Sequence, residues 1–78
     1  KMEKQIRKRY FDYLVSHYGR MSETSVKKIL SKSISRLVNN HIYPEDVIKK
    51  VIDDMIEEGN TSAKILAHVD MLDIENRI

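Results

Sequence analysis

The clearest hydrophobic pattern in the chain runs from Ser22 to Ile42. Val26, Ile29, Leu30, Ile34, Leu37, Val38 and Ile42 keep the i, i+3, i+4, i+7, i+8 spacing of one helical face. Lys27, Lys28, Lys32 and Arg36 fall on the other face, among serines and asparagines. This predicts a helix over 22–41 and makes it the element around which the rest is expected to pack. Upstream, Met2, Ile6, Tyr10, Tyr13, Leu14 and His17 share a stripe, widened by Phe11, Val15 and Tyr18, which predicts a helix over 2–18. Lys4, Lys8 and Asp12 point away from that stripe, and Arg7 sits near its edge. Tyr10, Phe11, Tyr13 and Tyr18 are expected in the core, because the chain has few other large residues.

Punctuation separates the elements. Gly19 can take the left-handed conformation that ends a helix. Ser22 is a suitable N-cap, with Glu23 in the first turn of the second helix. Asn39-Asn40 signals its stop. Pro44 suits a first helical position, and Glu45 and Asp46 suit the positive end of the helix dipole. The helix predicted over 44–58 would bury Val47, Ile48, Val51, Ile52, Met55 and Ile56, and would pair Glu45 with Lys49 and Asp46 with Lys50 on its outer face. Asp53, Asp54, Glu57 and Glu58 make its C-terminal end acidic, against the dipole. A cationic partner would relieve that conflict. Gly59-Asn60 reads as a C-cap and turn, and Thr61 or Ser62 caps a last helix over 61–76. That helix is the least regular. Ile65, Leu66, Val69 and Leu72 form one stripe, while Met71, Ile74 and Ile78 form a second. Either the second stripe is an apolar interface for a partner, or the last turn frays or bends across the end of the bundle. The fold class is therefore all-α: a small compact bundle of four helices in a single domain, 1–78. Its short connections are expected to make hairpins or tight corners.

A 78-residue chain buries a modest core. Scaffolds of this size usually need a staple, and with no cysteine neither disulfides nor thiolate metal sites are available. Well-packed helices, a partner or a second copy remain. The longest apolar runs, Tyr13-Leu14-Val15 and Ile65-Leu66-Ala67, are far short of the roughly twenty residues of a membrane span or the about 7–15 of a signal peptide. No membrane is expected, and the expected location is the cytoplasm of the producing or infected host cell. Met2 is expected to be the natural start, with Lys1 an addition ahead of it.

Net charge is only +2, but residues 1–40 carry +7 and residues 41–78 carry −5. Such asymmetry points to an electrostatic partner, or to attraction between the halves or between copies. Chemistry is sparse. His17, His41 and His68 lack the i, i+4 spacing of ligands on one helix, so no metal site is expected. Asp53-Asp54 and Glu57-Glu58 belong to a solvated face, with no cleft to split their pKa values. There is no glycine-rich phosphate loop, and the serines have no base beside them. Neither an enzyme nor a cofactor is expected. The binding residues are cations instead. Lys28, Lys32 and Arg36 make an i, i+4, i+8 row with Lys27 beside it, and Lys4, Arg7, Lys8 and Arg9 cluster on the first helix. Phosphate backbones or acidic protein surfaces would both be drawn to them.

The segment from Val15 to Leu30, with Gly19 in a turn, the Ser22 cap and a polar, basic second helix, resembles a helix-turn-helix. The resemblance implies a DNA-binding regulator using residues 15–36, with Glu23, Thr24, Lys27 and Lys28 at the N-terminus of the reading helix. Arg20 is one residue extra in the turn, and no helix precedes the pair. From Ser35 onward, the order helix, Pro-Glu, helix, Gly, Thr-Ser, helix is similar to small antitoxins that block Fic-type toxins. Those carry a glutamate four residues after a serine or threonine, where this chain has Asn39 after Ser35. The inhibitory role is therefore not implied. The function expected is that of a small non-enzymatic regulatory or inhibitory protein acting on a macromolecular partner by occlusion or recruitment. A protein partner is preferred over DNA, because net charge is small and the acidic half would repel a duplex. A homodimer is the further way to extend so small a core. The Lys-, Ile- and Asn-rich composition also fits a phage- or mobile-element-encoded regulator.

Overall fold

The computed structural model describes residues 2–78; Lys1, read above as an addition before the natural start, lies outside them. Four helices follow one another: α1 (Lys4–Gly19), α2 (Glu23–Asn39), α3 (Glu45–Glu57) and α4 (Ser62–Arg77). They form the expected all-α bundle. Most caps match the sequence. The Ser22 hydroxyl accepts from the Ser25 N–H at 3.2 Å, and the Thr61 hydroxyl accepts from the Lys64 N–H at 3.2 Å. Glu3 caps α1 by accepting from the Gln5 N–H at 3.1 Å. Pro44 stands one place earlier than expected, as the extended residue before α3.

The helix ends are less uniform. After α3, Gly59 has φ +85°, its N–H donates to Ile56 O at 3.0 Å, and the Asn60 N–H donates to Met55 O at 3.0 Å. That pair of bonds is a Schellman ending, which needs a left-handed residue. The same ending closes α2, but there the left-handed residue is His41, at φ 57°. His41 N–H donates to Val38 O at 3.0 Å and Ile42 N–H to Leu37 O at 2.9 Å. Ile42 then packs near Leu37, the apolar contact that usually accompanies this motif. Gly19 departs from expectation. It stays helical, and α1 closes through Arg20 N–H to His17 O at 3.3 Å and Met21 N–H to Tyr18 O at 3.1 Å. The chain leaves α1 with a right-handed turn, so no left-handed residue is needed.

The organising element is α4, not α2. Leu66, Ala67 and Val69 are completely buried, and Ile65, Met71 and Asp73 nearly so. On one side, Ala67 and Met71 pack with Leu14 of α1, under Met2, Phe11, Val15, Tyr18 and Ile74. On another, Val69 packs with Leu37 of α2 and Ile48 of α3, under residues that include Leu30, Ile34, Ile52 and Leu72. Both α1 and α2 lie mainly against α4 and scarcely against each other, so they splay around it. A helix covered from several sides is apolar all round, which is why α4 showed two stripes and looked irregular. Its second stripe is largely used internally: Met71 is core, Ile74 is half-buried against α1, and Ile78 alone is open, at 61% exposure. The last turn stays helical to Arg77, neither frayed nor bent away.

Two other packing expectations are corrected. In α1, Phe11, Leu14, Val15 and Tyr18 face α4, whereas Ile6, Tyr10, Tyr13 and His17 lie outside. In α3, Ile48 is buried and Val51, Ile52 and Met55 half-buried, but Val47 and Ile56 are exposed. A 13-residue helix at the edge of the bundle buries a narrower face than its apolar content allows. Glu45 does pair with Lys49, at 3.7 Å, but Lys50 takes Asp54, at 2.7 Å, in place of Asp46. Among the described residues no helix is long and apolar enough to cross a membrane.

Candidate partner-binding face

Asp73 and Glu75 of α4 stand two residues apart, about 200° around a helix. They mark two different surfaces. Glu75 receives Arg7 at 3.4 Å. It borders a groove between α1 and α4 lined also by Lys4, Lys8, Phe11, His68, Met71 and Leu72. Asp73 receives Arg36 of α2 at 3.4 Å and Arg77 at 3.1 Å. It borders a cleft on the other side of α4, between α1 and α2. The seven cations singled out in the sequence therefore do not form one patch. Lys4, Arg7 and Lys8 belong to the groove, and Arg36 reaches into the cleft at the end of the α2 row.

Charge is also spent unevenly. Lys8 pairs with Asp12 at 2.9 Å and Lys27 with Glu23 at 3.3 Å, both one turn along the same helix. Arg7 and Arg36 are held by α4. Lys4, Lys28 and Lys32 are exposed, and among the described residues no acid lies within 4.0 Å of them. Lys28 and Lys32 thus leave a free positive edge on α2, one turn apart.

The cleft floor is polar and fully engaged. Tyr18 Oη donates a short hydrogen bond to Asp70 Oδ2, and Ser33 Oγ donates to Asp70 Oδ1 at 3.2 Å. Ser33 is buried, although its position in the pattern had placed it on the polar face of α2. Asp73 is buried and accepts from both arginines, so its charge is matched. Burial pushes the Tyr18 phenol above its usual range, and the Asp70 hydrogen bond and charge add to this. Tyr10 acts in the same direction, while Arg36 opposes it. Each carboxylate already has its donors, which suits fastening three helices rather than proton transfer. Among the described residues no three His, Asp or Glu side chains are grouped to hold a metal ion. Asp70 and Asp73 went unnoticed in the sequence, yet two acids inside the most apolar helix are a usable signal, since buried carboxylates must be paired.

Beside the cleft, α1 carries an open aromatic ladder. Tyr10 and Tyr13 stack with centroids 6.2 Å apart, Tyr13 and His17 stack at 5.9 Å, and His17 meets Tyr18 at 5.3 Å with tilted rings. Tyr13 is 59% exposed and Ile6, one turn before Tyr10, 52%. Exposed Arg9 and Arg20 lie on the same side of α1 by helical spacing. The ladder therefore runs from open solvent to Tyr18, which lines the cleft together with Arg36. No protein family, curated protein or solved structure matches this chain.

Proposed function

We propose that this chain is a small non-enzymatic regulatory protein that acts by binding an acidic surface of a partner protein, through occlusion or recruitment. The observation that carries this reading is the free pair Lys28 and Lys32 on the open edge of α2. Other cations of the candidate set, Arg7, Lys8, Lys27 and Arg36, already have acids, and these two do not. Exposed Tyr10, Tyr13 and Arg9 on α1 are of the residue types enriched at protein interfaces. The alternative, duplex recognition by residues 15–36, is less well supported. A helix-turn-helix packs its two helices on each other, with the second seated in the major groove. Here α1 and α2 scarcely touch, and each packs on α4 instead.

A photo-crosslinking residue at Ser31, exposed between Lys28 and Lys32, tests the reading in the cells that make the protein. The expected result is a discrete protein adduct that survives nuclease and is lost in the Lys28→Glu/Lys32→Glu variant. An adduct that nuclease digests would move the assignment to nucleic acid. A protein adduct indifferent to the two substitutions would refute the role given to the α2 edge.

A further inference from the structure

The groove between α1 and α4 joins an apolar lining to a basic side. Phe11, Met71 and Leu72 supply the lining, and Lys4, Arg7 and Lys8 all border it from α1. Its volume is about 480 Å³, so a whole apolar side chain can enter. Its charges are unevenly met. Glu75 is the only acid lining it among the described residues, and Arg7 already holds Glu75 at 3.4 Å. Lys4 has no acid within 4.0 Å among the described residues. Lys8 has Asp12, but both members of that pair are open to solvent, and such a pair holds little energy and is readily exchanged. The groove therefore suits an apolar side chain flanked by carboxylates.

The chain carries that complement on its own α3. Ile56 is 59% exposed, one residue before the end of the helix. Asp53 stands three residues before Ile56 and four before Glu57, so the three share one side of α3. Both acids are exposed, and neither has a cation within 4.0 Å among the described residues. They lie toward the C-terminal end of α3, where the dipole opposes negative charge, so a cationic surface from outside relieves them. Spacing agrees as well. Lys4 and Lys8 are one turn apart on α1, as Asp53 and Glu57 are on α3, a rise of about 6 Å in each case.

The other exposed apolar side chains lack this combination. Val47 lies nine residues before Ile56, about 180° around α3, and belongs to a different face. Ile6, Tyr10 and Tyr13 surround Arg9, and Ile78 follows Arg77, so each would bring a cation toward the cations of the groove. Within one molecule the two surfaces do not meet: Ile56 is open, and no α3 acid lies within 4.0 Å of Lys4 or Lys8. Between two molecules they can.

We infer that the α1–α4 groove is a docking site for a second copy of this chain, which inserts Ile56 of its α3 against Phe11, Met71 and Leu72 and brings Asp53 and Glu57 to Lys4 and Lys8. The contact joins two different surfaces, so it closes as a two-fold pair in which each copy gives both, or runs head to tail. One apolar side chain and two ion pairs make a small contact, of the weak and transient class. It uses neither Lys28 nor Lys32, so it stands apart from the acidic-partner reading.

Sedimentation velocity of the full chain over a roughly hundredfold range of concentration tests it. The average mass is expected to rise with concentration and to fall with added salt. Ile56→Glu and Lys4→Glu/Lys8→Glu, all at exposed positions, are each expected to weaken association about tenfold or more with the circular dichroism spectrum intact. The decisive step mixes the two variants. Ile56→Glu keeps its groove and Lys4→Glu/Lys8→Glu keeps its α3 surface, so together they should form a one-to-one complex that neither forms alone. Adding the unlabelled lysine variant to labelled Ile56→Glu should move the amide signals of Lys4, Phe11 and Leu72. A parent that stays monomeric throughout would overturn the inference, as would a mixture that forms no complex. Association that survives both variants but is broken by Tyr13→Glu would assign self-contact to the α1 tyrosines instead.

Discussion

The two glycines should respond to alanine with opposite signs, although both stand at helix ends. Gly19 has helical backbone angles, and a Cβ built on it meets nothing within 4 Å. Alanine there removes unfolded-chain entropy without creating a clash, a gain of about 0.5–1 kcal/mol in a helix interior and nearer the lower figure at this last residue. Gly59 also has open space, but its φ is +85°. An L side chain in that region meets its own backbone at a cost of roughly 1–2 kcal/mol. The two variants should therefore differ by about 2 kcal/mol. In a domain of this size each kcal/mol moves the melting temperature by about 4–8 °C. Thermal unfolding followed by circular dichroism at 222 nm, with urea titration as a check, resolves this easily. Gly19→Ala should melt a few degrees above the parent and Gly59→Ala clearly below it. If Gly19→Ala destabilises as much as Gly59→Ala, α1 ends in a left-handed turn after all, and the described exit through Arg20 and Met21 is wrong.

Four further outcomes follow from the same structure. His41 occupies the left-handed position that closes α2, so His41→Gly should raise stability by about 0.5–1 kcal/mol, read from the urea midpoint. Leu66 is 0% exposed at the centre of α4, so Leu66→Ala should cost about 2–5 kcal/mol, a large share of the total stability of so small a domain. Tyr13→Ala, by contrast, should stay within about 0.5 kcal/mol of the parent in the same assay. The Tyr18 phenol is held in its neutral form by burial and by Asp70. A raised folded-state pKa means that this contribution is complete below the unfolded value of about 10 and is lost as pH rises beyond it. Urea midpoints should therefore fall above about pH 10, and fall less steeply in Tyr18→Phe, which starts from lower stability because Asp70 loses a donor.

Much of the fold was legible because it is written locally. Ser22, Thr61 and Gly59 act through their own few neighbours, so their roles could be read without knowing what packs where. Tertiary choices were less legible. The chain offers α1 two apolar stripes, and only contact with α4 decides that Phe11, Val15 and Tyr18 are covered while Tyr10 and Tyr13 are not. Periodicity ranks a one-sided helix highest, which favoured α2 and penalised α4, the helix buried on more than one side. His41 in a left-handed turn carried only a weak marker, since non-glycine residues seldom take positive φ even though histidine does so more often than most. The candidate face was half legible. The Lys28–Lys32–Arg36 row stood out by spacing. That Arg36 would turn inward to Asp73, and that Lys4, Arg7 and Lys8 would lie on a different surface, depended on where α4 passes between α1 and α2.

The central claim is that the free Lys28–Lys32 edge of α2 grips an acidic surface of a protein partner, and crosslinking from exposed Ser31 tests it most directly. The parent is expected to give a discrete, nuclease-resistant protein adduct, and the Lys28→Glu/Lys32→Glu variant, with its circular dichroism spectrum unchanged, is expected to lose it. An equally strong adduct from the variant, or one that nuclease digests, would contradict the account.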